Sequence, residues 1–272
     1  MSIKNILCAY SGEGAHGSGL AHAFKLTHHH DGWLTGVMRH EHSTLEKRYS
    51  AHFSHAFLDE LRAVDRKLIN EVNHRFITLA ERAGLADRSE FVELDPTEGS
   101  SIPEFARSFD LIVTGVHSDS LSNAHLSANP DLIALQSGRP VLVVPDGYEA
   151  AGLADRAVVA WDGKRSAARA VGDALSILAE KAKVTLVTIG KTAAPGTDRL
   201  LHNMRRHGID VELMLTPRKS SIARSLLDAA QEVSAQLLVM GAFEHSRFSH
   251  SIKGGPTTDI IARSNIPVFL SH

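Results

Sequence analysis

The chain repeats itself, and that repeat constrains its fold more than any other feature. Phe109-Asp110-Leu111-Ile112-Val113-Thr114-Gly115 is followed by Arg139-Pro140-Val141-Leu142-Val143-Val144. Further on, Ala235-Gln236-Leu237-Leu238-Val239-Met240-Gly241 is followed by Ile266-Pro267-Val268-Phe269-Leu270. Each pair reads as a buried apolar strand ending in glycine, then a loop and helix, then an X-Pro-apolar strand. The starts correspond too: Ile6-Leu7-Cys8-Ala9-Tyr10-Ser11-Gly12 matches Val158-Val159-Ala160-Trp161-Asp162-Gly163, and an Ala-containing helical stretch follows each. Self-similarity on this scale signals a tandem duplication. The join falls in Pro145-Asp146-Gly147-Tyr148-Glu149-Ala150-Ala151-Gly152, which is turn-rich and lacks periodicity. The reading is therefore an N-terminal domain over 1–146, a linker over 147–155 and a C-terminal domain over 156–272.

Within each half, strands and helices alternate. In the second half the strands are predicted at about 157–162, 184–189, 211–216, 236–240 and 267–270, and the helices at about 164–180, 197–207, 220–234 and 257–264. Continuous apolar runs suit parallel strands covered on both faces, and the alternation predicts an α/β doubly wound sheet. Such sheets bind ligands beyond the carboxyl ends of their strands, where the strand order reverses. The first half adds a His-rich insertion at about 40–57 before a long helix predicted at 58–83. That helix has an apolar stripe at Leu58, Leu61, Val64, Leu68, Val72 and Phe76, read as packing against the core or a partner helix.

Composition removes several function classes. Hydrophobic residues make up 43% and charged residues 22%, enough for a packed core. Lys plus Arg number 29 against 31 Asp plus Glu, which leaves no basic excess for a nucleic-acid or anionic-membrane surface. One cysteine, Cys8, rules out an intrachain disulfide and points to a reducing compartment; its mid-strand position reads as inert core. No apolar run reaches the length of a membrane helix, and a cytoplasmic protein is expected.

Two glycine patterns carry candidate chemistry. Gly12-Glu13-Gly14-Ala15-His16-Gly17 has the G-x-G-x-x-G spacing of a dinucleotide turn. The acidic residue expected at the end of the second strand is out of register, and Glu13 would sit close to a phosphate, so a plain strand-to-helix turn is the stronger reading. In the second half, Asp162 ends the first strand, Gly241 ends the fourth and Gly254 precedes the last helix.

These stretches, with Gly254-Gly255-Pro256-Thr257-Thr258 and the closing strand, make the chain resemble a tandem universal stress protein, two UspA-type domains in one polypeptide. The resemblance implies two Rossmann-like domains of the adenine-nucleotide alpha-hydrolase-like kind, each a five-stranded parallel sheet of order 3-2-1-4-5. It implies pairing of the last strands, Val141–Val144 with Val268–Leu270, as an intrachain pseudo-dimer, and it allows a further homodimer. Part of that family binds ATP through G-x2-G-x9-G-[S/T], with an Asp at the end of strand one.

On that pattern the candidate nucleotide-binding residues are Asp162, Gly241, Glu244, His245, Arg247, Gly254, Gly255, Thr257 and Thr258. Glu244 replaces the middle glycine and Gly255 replaces the Ser/Thr. Glu244 sets a carboxylate where phosphates would lie. At 4 Å, two like charges repel by about 1 kcal/mol in water and about 4 kcal/mol at an effective dielectric of 20. Adenosine or AMP survives that objection better than ATP. Arg247 could neutralise a phosphate or pair with Glu244, and Thr257 or Thr258 could donate to phosphate or cap the helix. The first half has Ser11 in place of Asp162 and no second motif glycine after Gly115, and reads as structural.

The expected role is a binding or regulatory protein with a weak or altered adenine-nucleotide site, no catalytic residues and no metal ligands. One alternative is a competent ATP/AMP binder or slow ATPase. A PP-loop pyrophosphatase is disfavoured because Ser11-Gly12-Glu13-Gly14 only brushes its Ser-Gly-Gly-x-Asp-Ser loop. A third alternative is a metal- or pH-responsive module. Of 17 histidines, ten precede residue 75, including the run His28-His29-His30. His52 with His55, or His28 with His22 or His16, could share a face, yet no H-E-x-x-H or matching carboxylate accompanies them. A solvated surface is the expectation.

Overall fold

The computed structural model describes residues 3–12, 17–39, 54–94, 101–116, 130–149, 152–242 and 255–272. The first half runs β1 (Asn5–Ala9), α1 (Ser18–His29), β2 (Trp33–Arg39), α2 (His55–Arg82), β3 (Ser89–Leu94), α3 (Ile102–Phe105), β4 (Leu111–Gly115), α4 (Pro130–Gln136) and β5 (Val141–Val144). The second half runs β6 (Arg156–Ala160), α5 (Arg165–Ala179), β7 (Lys183–Ile189), α6 (Thr197–Arg206), β8 (Val211–Thr216), α7 (Ile222–Glu232), β9 (Leu237–Gly241), α8 (Pro256–Arg263) and β10 (Val268–Ser271).

All ten strands form one sheet, ordered β3-β2-β1-β4-β5-β10-β9-β6-β7-β8. Each half is a parallel 3-2-1-4-5 sheet, and the two meet where β10 lies antiparallel to β5, with Val268, Phe269 and Leu270 opposite Val143, Leu142 and Val141. The pairing expected between the last strands is therefore present. Alternation along these strands feeds two cores, one on each face, and both cross the seam. Leu142, Val144 and Phe269 point to one face; Val141, Val143, Val268 and Leu270 point to the other. Each such side chain, fully withdrawn from water, contributes about 1.5–3 kcal/mol.

The long helix departs from its sequence reading. It begins at His55, inside the segment read as an insertion, because the Ser54 hydroxyl accepts from the Phe57 N–H and caps it. Leu58, Val72 and Phe76 are buried, but Val64 is 62% exposed and is not core. The 28 residues of α2 span about 42 Å at 1.5 Å each, whereas the seven of β2 span about 23 Å at 3.3 Å each. The helix is seated through its C-terminal turns. There Phe76 and Phe91 close over Gly36, where a β-carbon would stand 2.6 Å from Phe76. Nearer its N-terminus burial alternates, with Leu58 withdrawn from solvent and Val64 exposed.

Candidate functional site

The strand order of the second half reverses between β6 and β9, which run parallel with Val159 beside Val239. Their carboxyl ends, Trp161-Asp162 and Gly241-Ala242, therefore emerge side by side. Because α8 links β9 to the parallel β10, its N-terminus lies at that same edge.

Trp161 is fixed by its backbone: its N–H donates to Val187 O (2.8 Å) and its carbonyl accepts from Thr188 Oγ1 (3.1 Å). The next residue, Asp162, turns outward with its side chain half exposed. Its Oδ1 accepts from the Lys164 N–H at 3.0 Å, and its Oδ2 lies 3.8 Å from Lys164 Nζ. This is an Asx turn leading into α5. The cap position of α5 is Lys164, without a side-chain cap bond, so Asp162 shapes the approach to the helix rather than capping it. One carboxylate serving one backbone N–H retains acceptor capacity toward solvent.

Gly241 is required for packing. A β-carbon there would stand 2.5 Å from the Ser166 carbonyl carbon and 2.6 Å from Ala167 N, inside the first turn of α5. The first half makes the corresponding approach with the glycine on the helix: a β-carbon on Gly19 of α1 would stand 2.9 Å from Gly115 N at the end of β4. Each half thus brings its first helix close against the end of its fourth strand.

At α8 the cap residue is Gly255, in extended conformation (φ −173°, ψ 167°), followed by Pro256 at the first helical position. A β-carbon on Gly255 would meet nothing within 4 Å among the described residues. Thr257 is buried, and it and Thr258 occupy the second and third helical positions, so neither is the cap residue. Glu244, His245, Arg247 and Gly254 lie outside the described residues, as do Glu13, Gly14, Ala15 and His16.

A feature missed in the sequence is the charge of this edge. Exposed Lys164 and Arg165 follow β6, Lys191 follows β7, and Arg218 and Lys219 follow β8. Lys219 is committed to Asp228 at 2.6 Å. Their signal was position, each just past a strand end, and it was hidden by the chain's near-neutral total. Cys8 is buried, and burial pushes its thiol up to about 12, so it is inert as expected. The His28–His22 pairing is not formed: His28 Nε2 meets Ala83 O at 2.6 Å, while His22 is buried. His16 and His52 lie outside the described residues. Among the described residues, a group the sequence did not suggest gathers instead, His29 and His30 with Glu180.

The fold defines a class: a doubly wound α/β protein made of two like halves, the strand order of the second reversing at this edge. The sequence pattern of the "Universal stress protein family" matches residues 199–272. The universal stress protein Slr1230 of Synechocystis is 29% identical over 170 residues, which spans 59% of this chain and 57% of that relative's length. A universal stress protein from Archaeoglobus fulgidus superposes with a TM-score of 0.70 at 18% identity, covering 100% of this chain and 96% of that one. A functionally unknown protein from Pseudomonas aeruginosa gives a TM-score of 0.56 at 14% identity, covering 99% and 92%. The chain is thus similar in sequence to the universal stress protein family over residues 199–272, and it shares its fold along its whole length with the solved universal stress protein of Archaeoglobus fulgidus. No helix among the described residues is long and apolar enough to cross a membrane.

Proposed function

We propose that the chain is a universal-stress-type binding or regulatory protein without catalysis of its own, carrying a weak or altered adenine-nucleotide site in its C-terminal half. The proposal takes 1–146 and 156–272 as its two units, joined by 147–155, and places the site at the β6–β9 edge. One observation carries it: Asp162 and Gly241 end adjacent parallel strands where the order reverses, beside the N-terminus of α8. The outward-facing Asp162 carboxylate suits the hydroxyls of a ribose. The helix N-terminus and the cations at Arg165 and Lys191 suit an anion.

On the family pattern Glu244 takes the place of the middle glycine, and a carboxylate at that motif position works against a chain of phosphates. The preferred ligand is accordingly adenosine or AMP rather than ATP. The basic edge is the observation that favours the second reading, a competent ATP binder or slow ATPase, because added cations offset the Glu244 charge.

Titration of the purified chain with AMP tests the site. Binding in the micromolar to millimolar range is expected, weakened at least about tenfold by Asp162→Ala, since hydrogen bonds to charged groups contribute roughly 1.5–3 kcal/mol. Absence of AMP and adenosine binding at millimolar ligand would overturn the reading. Mass spectrometry of small molecules released from the protein as purified from cells would identify the ligand carried.

A further inference from the structure

Helix α1 ends in Thr27-His28-His29-His30-Asp31-Gly32, and its closure is strongly anchored. The His30 N–H bonds Leu26 O (3.0 Å) and the Gly32 N–H bonds Thr27 O (2.9 Å). Between them Asp31 takes φ +48°, a left-handed conformation that costs a residue with a β-carbon about 1–2 kcal/mol. That strain is held by neighbours. Arg88 donates to Asp31 Oδ1 at 2.6 Å, and Lys4 Nζ donates to His30 O (2.8 Å) and Asp31 O (2.7 Å). The backbone carrying His29 and His30 is thus fixed from two other elements.

Across the seam, α5 of the other half ends at Glu180, whose N–H bonds Ile177 O at 3.3 Å. Glu180 Oε2 lies 2.8 Å from His29 Nε2, and the His29 and His30 rings sit edge to face with centroids 4.8 Å apart. One ligand atom from each of the three residues falls within 4.8 Å of the others. His30 and Glu180 also line a narrow cavity of about 30 Å³ at the seam, with His22 and Lys181.

We propose that His29, His30 and Glu180 form a site for a divalent transition-metal ion of the zinc class, bridging the two halves of the chain. Two imidazoles and a carboxylate suit Zn2+, Ni2+ or Cu2+, whereas Ca2+ and Mg2+ demand oxygen ligands. Bonds of about 2.0–2.2 Å to a tetrahedral ion set ligand atoms about 3.4 Å apart. The three groups approach that spacing with side-chain adjustments of about an ångström, which the 43% and 42% exposure of His29 and Glu180 permits. The remaining positions fall to solvent or to an external donor. Lys181 follows Glu180 directly and Lys4 Nζ stands on the His30 carbonyl, so the ion is held by ligation and not by a general negative field. The ion would take the place of the His29–Glu180 contact and close a loop between residues 30 and 180, tying α1 to α5.

Isothermal calorimetry with Zn2+ on the full chain tests the proposal, with Glu180→Gln as the deciding variant because it keeps all 17 histidines. Wild type is expected to bind one ion per chain at this site. Removing a ligand should cost at least what removing an outer-shell partner does, about 10–100-fold, so Glu180→Gln and His30→Ala should each weaken binding at least tenfold. His55→Ala should leave it unchanged, and Zn2+ should raise the melting temperature of wild type but not of Glu180→Gln. Equal binding by wild type and Glu180→Gln would assign the signal to other histidines and overturn the proposal. So would failure of wild type to bind. A wild-type circular dichroism spectrum for each variant excludes loss of folding as the cause.

Discussion

Val143 of β5 stands directly opposite Val268 of β10, and each is 1% exposed. This antiparallel contact joins two otherwise parallel sheets, and both hydrophobic cores continue through it. Stability at the seam is therefore shared between the halves.

The protein has two tryptophans, Trp33 in the first half and Trp161 in the second, so each half carries its own reporter. Val268→Ala removes buried methyl groups and should cost about 2 kcal/mol. Denaturant unfolding of Trp33→Phe and Trp161→Phe backgrounds should show coincident midpoints, both lowered by Val268→Ala. A shift confined to the Trp161 signal would mean that the halves unfold independently.

Two glycines of the nucleotide-type pattern should respond differently to alanine. At Gly241 the new methyl meets the backbone of Ser166 and Ala167 in the first turn of α5, and an overpacked site of this kind costs about 1–3 kcal/mol. At Gly255 it meets nothing within 4 Å among the described residues and the backbone is extended, so the cost should stay within about 0.5 kcal/mol. Chemical denaturation of both variants checks this ordering, and equal losses would contradict it.

Acid should act on His22. Burial, aided by Lys25 and Lys181, lowers its imidazole to about 4, from 6.5 in the unfolded chain. The unfolded state thus binds the proton first as pH falls. The contribution of a neutral His22 is fully present above pH 6.5 and is lost progressively toward pH 4, amounting to about 3 kcal/mol. His22→Leu should flatten the stability profile across that window relative to wild type. Parallel profiles would place the acid sensitivity elsewhere.

The duplication made most of the fold legible, because a buried parallel strand needs an unbroken apolar run and Leu111–Val113, Val141–Val144 and Leu237–Met240 supply one each. The strands at the seam could be named for the same reason. Val64 was misread because helical periodicity states which residues share a face and is silent on whether anything covers that face at each turn. At the candidate site, Asp162 and Gly241 were legible from their spacing, but the reason Gly241 must be glycine was not: the contacting Ser166 and Ala167 belong to a helix whose approach only the fold fixes. His29 and Glu180 lie 151 positions apart on opposite halves, and no local pattern links them. The basic edge was hidden because Arg165, Lys191 and Arg218 are far apart in sequence and the chain's total charge is near neutral.

In the proposed adenine-nucleotide site, the Glu244 carboxylate limits the binding of phosphates. The most direct test is equilibrium titration of wild type and Glu244→Gly with AMP and ATP. The expected result is AMP binding tighter than ATP in wild type, with ATP affinity rising at least about tenfold in Glu244→Gly and AMP affinity changing little. ATP binding that is tight in wild type and unmoved by Glu244→Gly would contradict the claim, as would no binding of either ligand at millimolar concentration.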